Sequence, residues 1–349
     1  MILVIAAEDD AHVPFVTRHL EARRAEYFRF DPTHFPSSAE ISLRHGRDRG
    51  RAGFLRYRSR TLDLALVRSV WNRAGGGLRP AAGPKVRSDQ DWWATESSSR
   101  FLSELCECID CLWLPERPSA DREPSSVLNP SDRMRITDPY RSQSPSPYNK
   151  LHQLAVASRV GFSVPRTLVT NSPDDFLEFF ESCEGEIVSK RVGNLLNRRD
   201  GENIFPDTYA VRRRDTGQFQ AIQYAPVALQ EKIAKKFELR VTVVAKKTFS
   251  AAILSQDQTR LQIDWRHHRD YAIARYYRAH QLAEEVAECC VRVVEALGLC
   301  FGAIDLIVTP DDDHVFLEVN PNGQWLWIEE LTGLPISHAI ADLLMEGAA

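Results

Sequence analysis

Apolar positions along this chain follow two periods. Short continuous runs at Ile2 to Ala6, Tyr27 to Phe30 and Leu64 to Trp71 predict buried strands, and Val13, Val16, Leu20 and Arg23 recur at helical spacing between the first two. Ile41 to Leu43 and Phe54 to Tyr57 predict a hairpin across an Arg/Gly-rich loop. Gly75-Gly76-Gly77 then ends the third run, and Ser97 to Leu112 predicts a helix. A strand–helix–strand opening predicts an α/β unit over residues 1–115. No G-x-G-x-x-G follows the first strand, so the motif of a dinucleotide binder is absent.

Both periods stop in residues 116–147, which are dense in Pro, Ser and Arg and predict a linker. They resume at Tyr148. A helix is expected from Lys150 to Val160 with Gly161 past its end, then a strand from Val164 to Val169. Ser172-Pro173-Asp174 opens a helix with Phe176, Phe179 and Phe180 inward, and Glu186 to Lys190 forms a strand. Beyond a polar loop at Gly193 to Gly201, Tyr209 to Arg212 and Phe219 to Ile222 predict a hairpin, and Val227 to Gln230 a strand. These make a central unit, 148–230. In the last unit, 231–349, two strands flank Lys246-Lys247, a helix runs from Gln281 to Leu297, and an amphipathic helix from Ile336 to Met345 closes the chain.

The length of 349 residues agrees with two or three domains, and 43% apolar with 26% charged residues is an ordinary globular balance. A net charge of -4 argues against a general nucleic-acid binder, and no apolar run is long enough for a membrane span. The N-terminus meets acids at once and reads as a strand rather than a signal peptide. Seven cysteines, an odd number, fit a reducing cytoplasm. Cys106, Cys108 and Cys111 fall in an apolar helical stretch with no second cluster at zinc spacing. Charge is uneven: the stretches Arg44 to Arg87 and Lys190 to Arg214 are strongly basic, which suits an anionic ligand, a nucleotide phosphate or an acidic peptide.

The chemistry concentrates near the C-terminus. Ala303 to Val308 and Val315 to Asn320 read as two strands joined at Pro310-Asp311-Asp312-Asp313. Glu318 and Asn320, two apart, share a face, and Asp305 meets them across the pair. Three hard oxygen donors on one face predict a Mg²⁺ site completed by water and substrate phosphate. Lys150 and Lys190, at a helix start and a strand end, are candidate phosphate cations. Gln230-Glu231-Lys232-Ile233 leaves a strand into a connector that can offer backbone groups to an adenine edge. Glu238 is placed to accept from ribose hydroxyls, with Arg240 on the same face turned to a phosphate or acyl group. Arg68 and Arg73 either hold a substrate carboxylate or are surface charge.

In this order and spacing the residues resemble the ATP-grasp carboxylate ligases, whose lysines, adenine hinge, ribose carboxylate and metal ligands follow the same sequence. One departure is Ala303, where those ligases carry an arginine two residues before the metal aspartate. The missing cation is assigned to Arg240. Val164 to Asn171, Glu238 to Val244 and Glu318 to Glu329 narrow the likeness to the microviridin-type, or graspetide, peptide maturases, and Val70-Trp71-Asn72-Arg73 resembles a strand end of that group. The resemblance implies an α/β ATP-grasp fold with a Rossmann-like pre-ATP-grasp domain, and ATP and Mg²⁺ as cofactors. It also implies a cytoplasmic, often dimeric enzyme that forms ester or amide rings in a ribosomal precursor peptide. That group reads its leader peptide on the central unit, here near Asp207 to Gln223 with Arg212, Arg213 and Arg214; a solvated basic turn is the plain alternative. Glu238-Leu239-Arg240 leans toward amide formation by that resemblance, while the ribose role accounts for Glu238 equally. A free-standing ligase for small amino acids or a protein terminus, and a nucleotide-binding regulator without turnover, are the rival readings.

Overall fold

The computed structural model describes residues 1–46, 50–74, 88–116, 146–190, 197–199, 202–204, 208–257 and 276–347. The Gly75-Gly76-Gly77 stop, residues 117–145 of the linker and most of the Gly193–Gly201 loop lie outside them.

The chain opens with β1 (Ile2–Ile5), α1 (His12–Ala22) and β2 (Tyr27–Phe30), followed by the antiparallel β3 (Ala39–Gly46), β4 (Gly50–Tyr57) and β5 (Arg60–Asp63). The run from Leu64 to Trp71 is not one strand. Asp63 accepts a hydrogen bond from Ala65 N and caps a 3₁₀ turn at Leu64–Leu66, so β6 begins at Ser69 and ends at Asn72. α2 (Ser88–Cys108) starts earlier than its apolar stripe suggested and stops short of Leu112. That leaves Leu112–Leu114 for β7, the outer strand of a parallel sheet ordered β2-β1-β6-β7. A continuous apolar segment does not mark where a helix hands over to a buried strand.

After the linker, Asn149 accepts from His152 N and opens α3 (Lys150–Val160), which Gly161 closes at φ 118°. β8 (Thr167–Thr170), α4 (Pro173–Ser182), β9 (Ile187–Lys190), a short pair β10 (Asn197–Arg199) and β11 (Glu202–Ile204), β12 (Tyr209–Val211) and β13 (Val227–Glu231) follow. Four of these form an antiparallel sheet, β12-β9-β13-β8, backed by Phe176 and Phe180 of α4 against Ile187 and Leu229. The expected hairpin between Tyr209 and Ile222 is absent. β12 pairs with β9, and Arg213–Tyr224 winds as a 3₁₀ helix that sets Ile222 on the α4 cluster. That segment is polar and poor in β-branched residues, so nothing in it favours a paired strand.

The last unit is a five-stranded antiparallel sheet, β16-β15-β14-β17-β18, built from β14 (Phe237–Val244), β15 (Lys247–Ile253), β16 (Tyr277–His280), β17 (Phe301–Val308) and β18 (His314–Asn320). Three helices accompany it: α5 (Glu284–Ala296), α6 (Leu326–Thr332) and α7 (Ile336–Glu346). One sheet face, with Leu239, Val241 and Val243, packs on α3 and α5. The other carries Val244 and Ala251 into a core shared with β1, α1, α6 and α7. First and last units therefore bury one continuous apolar cluster. Among the described residues no helix is long and apolar enough to cross a membrane.

The α1–α7 seam is polar at its rim. His19 Nε2 lies 3.2 Å from Ser337 Oγ, and its ring stands edge-on to His338 at 5.3 Å. Burial, then the neighbouring charges of Arg18 and His338, hold the His19 pKa below its ordinary 6.5. The unfolded chain therefore takes up this proton first. The contribution of neutral His19 is complete above about pH 6.5 and is lost as pH falls through that window. Thermal unfolding followed between roughly pH 7 and 5 should show a steeper loss of Tm in the wild-type chain than in His19→Gln.

Candidate active site

One bulge sets the phase of the candidate ligands. β17 and β18 pair Asp305 with Glu318 and Ala303 with Asn320, but Leu306 with Phe316, so Leu317 is an extra residue on β18. In a regular strand Phe316 and Glu318 would share a face. The insertion sends Phe316 into the α3–α5 core and leaves Glu318 and Asn320 on the face of Asp305. On the other side of β17, β14 sets Arg240 opposite Asp305. Arg240, Asp305 and Glu318 thus form a row across three strands.

Two cations already sit on this row. Arg240 Nη1 donates to Asp305 Oδ1 at 2.7 Å, and both residues are less than a tenth exposed. Lys150 Nζ is 2.8 Å from Glu318 Oε2. Lys150 is held there by Gln153, one turn along α3, whose side-chain amide pairs with the β18 backbone. Gln153 Nε2 donates to Val319 O at 2.8 Å and Val319 N donates back to Gln153 Oε1 at 3.0 Å. Asn320 Oδ1 accepts from Asn322 N at 3.1 Å. Gly323 follows against the sheet: a Cβ there would lie 2.4 Å from Ala303 Cβ and 2.9 Å from Arg240 Nη2. Ala303, small where the carboxylate ligases carry arginine, leaves the room for this turn to close down on Arg240.

Glu238, buried two residues before Arg240, is paired with Lys235 Nζ at 2.8 Å, a cation that the sequence pattern did not single out. The hinge side chains are engaged with the central sheet. Gln230 Nε2 donates to Thr167 Oγ1, Glu231 meets Arg166 at 3.0 Å and Lys232 meets Glu186 at 2.6 Å. The Glu231 and Lys232 amides donate to Arg166 O and Glu186 O, so Ile233 is the first hinge residue whose N–H is not spent on this sheet. Hydrogen bonding from Arg166 holds the Glu231 carboxyl below its usual range. Lys190 ends β9, opposite Ala228 of β13, and β13 leads through this hinge into β14.

The structure separates Arg68 and Arg73. Arg68 precedes β6 beside Met1 and donates to Ala65 O at 2.8 Å, at the N-terminal edge of the parallel sheet. Ligands of such sheets gather at the opposite, C-terminal edge, so Arg68 is misplaced for the substrate role. Arg73 is at that edge but turned inward: its Nε donates to Asp10 Oδ2 at 3.0 Å and its Nη1 to Asn322 Oδ1 at 2.9 Å. Asp10 is drawn well below the usual carboxylate range; burial opposes this, but His12 and Arg73 outweigh it. Arg212 and Arg213 are exposed where the 3₁₀ segment begins, and the Arg214 side chain lies outside the described residues. Sequence reasoning missed Asp10, His12, Lys235 and the role of Asn322. The available signals were the position of Asp10 just past the first strand and the Asn-Pro-Asn-Gly turn after Asn320.

Residues 1–112 match a family model described as the MvdD pre-ATP grasp domain. Along 99% of its length the chain is similar to a RiPP-associated ATP-grasp ligase of Chryseobacterium gregarium, solved with ADP and a leader and core peptide (25% identity, TM-score 0.83, 96% of that chain covered). It is likewise similar to the macrocyclase MdnC of Microcystis aeruginosa MRC, bound with precursor peptide MdnA (26% identity, TM-score 0.77, 99% of each chain covered). The alpha-aminoadipate–LysW ligase LysX of Sulfurisphaera tokodaii is 22% identical over 172 residues, 49% of this chain, so the chain spans 58% of the length of that relative.

The Arg240–Asp305 pair is buried enough that breaking it strands a charge. Arg240→Met or Asp305→Leu alone should lower stability by about 3–5 kcal/mol, and the double variant should recover most of the loss. Urea unfolding of the three variants checks this.

Proposed function

We propose that this chain, which has the ATP-grasp fold with an N-terminal pre-ATP-grasp domain, is an ATP-dependent ligase that closes rings between side chains of a ribosomally made peptide. The observation that carries the reading is the row Arg240, Asp305, Glu318 with Lys150 upon it, on a chain similar over nearly its whole length to peptide-bound ligases of this fold. We divide it as the sequence suggests: 1–115, a linker 116–147, a central 148–230 and a catalytic 231–349. Seven free cysteines suit a reducing cytoplasm.

The donor set fits Mg²⁺: a buried carboxylate, a half-buried one and an amide on one face, all hard oxygens. Asp305, Glu318 and Asn320 would hold the ion, which when bound neutralises charge on transferring phosphate. The protein's own part is positioning. Lys150 and Lys190 take up phosphate oxygens, Lys150 leaving Glu318 to do so. Glu238 accepts from the ribose, and the Glu231–Ile233 backbone meets the adenine edge. A substrate carboxylate attacks the γ-phosphorus and ADP leaves, giving an acyl phosphate. A Ser/Thr hydroxyl or Lys amine then attacks the acyl carbon, loses its proton and expels phosphate, giving ester or amide. Arg240, fixed by Asp305 and crowded by Gly323, faces the oxygen that gains charge in both steps.

For the peptide, β12 and the 3₁₀ segment offer a surface. Tyr209 and Tyr224 stand out at 57% and 85% exposure, with Arg212 and Arg213 exposed alongside. Aromatic faces beside guanidinium groups suit an amphipathic leader, and the basic stretches 44–87 and 190–214 suit an acidic core peptide. ATP hydrolysis should rise when a precursor peptide encoded beside this gene is added, and the peptide should lose one water of mass per ring. Asp305→Ala and Glu318→Ala should cut product on the order of 10²-fold or more while peptide binding, read by fluorescence anisotropy, survives. Retained cyclisation in either variant would overturn the ligand assignment. Tyr224→Ala should raise the KM for peptide and leave basal ATP hydrolysis unchanged.

A further inference from the structure

The loop leaving Asn320 is gripped from the opposite end of the chain. Asn322 Oδ1 accepts from Arg73 Nη1 at 2.9 Å, and Arg73 Nε donates to Asp10 Oδ2 at 3.0 Å. Asp10 Oδ1 accepts from His12 N at 2.8 Å and lies 2.9 Å from its Nδ1, and the His12 ring stands edge-on to Trp325 at 5.0 Å. Arg73 Nη2 also touches His12 Nδ1, at 3.1 Å. The contacts tie Arg73 directly to Asn322 and, by way of Asp10 and His12, to Trp325 three residues further along the same segment; the Arg73 side chain is 4% exposed. Asp10 and His12 follow β1 and Arg73 follows β6, so the grip comes from the ends of two adjacent parallel strands.

This network reaches the site through two neighbouring residues. Asn322 N donates to Asn320 Oδ1, and Gly323 lies so close to the sheet that a Cβ there would run into Ala303 and Arg240 Nη2. A shift of Asn322 by an ångström would therefore move one predicted metal donor and release the contact on Arg240 together. Arg73 suits the task because its rigid planar fork holds Asp10 and Asn322 in one fixed geometry, whereas a lysine offers a single point charge on a flexible stem.

We propose that Arg73, charge-balanced by Asp10 and seated by His12, is a positioning residue that acts through Asn322 to orient Asn320 toward Mg²⁺ and Gly323 toward Arg240. The first unit of the chain would then be part of the metal–nucleotide site rather than only its support. The inference rests on the ligase reading above.

Isothermal titration of the full-length protein with ADP, with and without Mg²⁺, tests it, alongside thermal unfolding. Asn322→Ala and Arg73→Lys should weaken Mg·ADP binding by about 10-fold or more, as loss of a group supporting a metal ligand does, with ADP alone bound as by wild type. The double variant should be no worse than either single one, and Asn322→Asp, which keeps an oxygen for Arg73, should bind nearly as wild type. Asn322→Ala should retain the wild-type Tm within a few degrees. Unchanged Mg·ADP binding in Asn322→Ala overturns the proposal, as does equal weakening with and without the metal. Wild-type protein that binds no Mg·ADP would overturn the ligase reading as well, and that outcome is seen before any variant is compared.

Discussion

A buried arginine and a buried aspartate meet across the middle of the five-stranded sheet, and the site's geometry is set from that pair outward. Taking both charges out of water costs several kcal/mol per ion before their attraction returns it, so the pair adds little to stability over an apolar packing. What it adds is placement. Asp305 anchors the row on which Glu318 and Asn320 stand, and Arg240 is fixed on the only neighbouring strand that also carries Glu238. The bulge at Leu317 makes this possible at no loss to the core. It turns Phe316 inward and Glu318 outward within three residues, so one short strand serves both a packed interface and a polar face.

Each acid near the site has a cation of the chain beside it: Arg240 on Asp305, Lys150 on Glu318, Lys235 on Glu238. Acids clustered without such partners would raise one another's pKa and take up protons. Ligand binding in the proposed function is then an exchange of partners. Lys150, more than a third exposed at the start of its helix, is free to swing from carboxylate to phosphate, whereas Arg240 is not. In that proposal an exposed lysine would follow the nucleotide while a buried arginine stays at the reacting group.

How far these features could be read from the sequence depended on their range. β2, α3 and α7 announce themselves through short-range signals: a bounded apolar run, an Asn cap with a closing glycine, and an apolar stripe. The strand at Leu64 failed because a single Asp63 cap decides the local conformation against the apolar pattern. The second arm at Phe219 failed because β12 found its partner in β9, twenty residues back, rather than in the segment that follows it. Asp305, Glu318 and Asn320 were legible as a set through residue type and a period of two. Their shared face nevertheless depends on a bulge that no residue advertises. The Arg73–Asn322 contact joins positions 249 residues apart, and Arg73 looked like a surface charge or a substrate hook. Only the packing of first unit on last makes it neither.

That packing has a consequence for how the fold works as an enzyme. In many two-part α/β proteins the Rossmann-like unit carries its own ligand at the C-terminal edge of its sheet. Here, among the described residues, that edge is occupied at two strands. Asp10, His12 and Arg73 occupy the ends of β1 and β6 and spend their hydrogen bonds on Asn322 and on one another. Behind them, Ile2, Val4 and Val16 share an apolar cluster with Trp325, Ile336 and Ile340. A unit held by both a buried core and a buried charge network resists opening at the ends of β1 and β6. The central sheet, by contrast, passes into the last unit through the connector Glu231–Lys236, where the ion pair Lys232–Glu186 stands exposed. Exposed pairs of this kind contribute roughly 0–1 kcal/mol each, little enough to break and reform as a nucleotide enters and leaves.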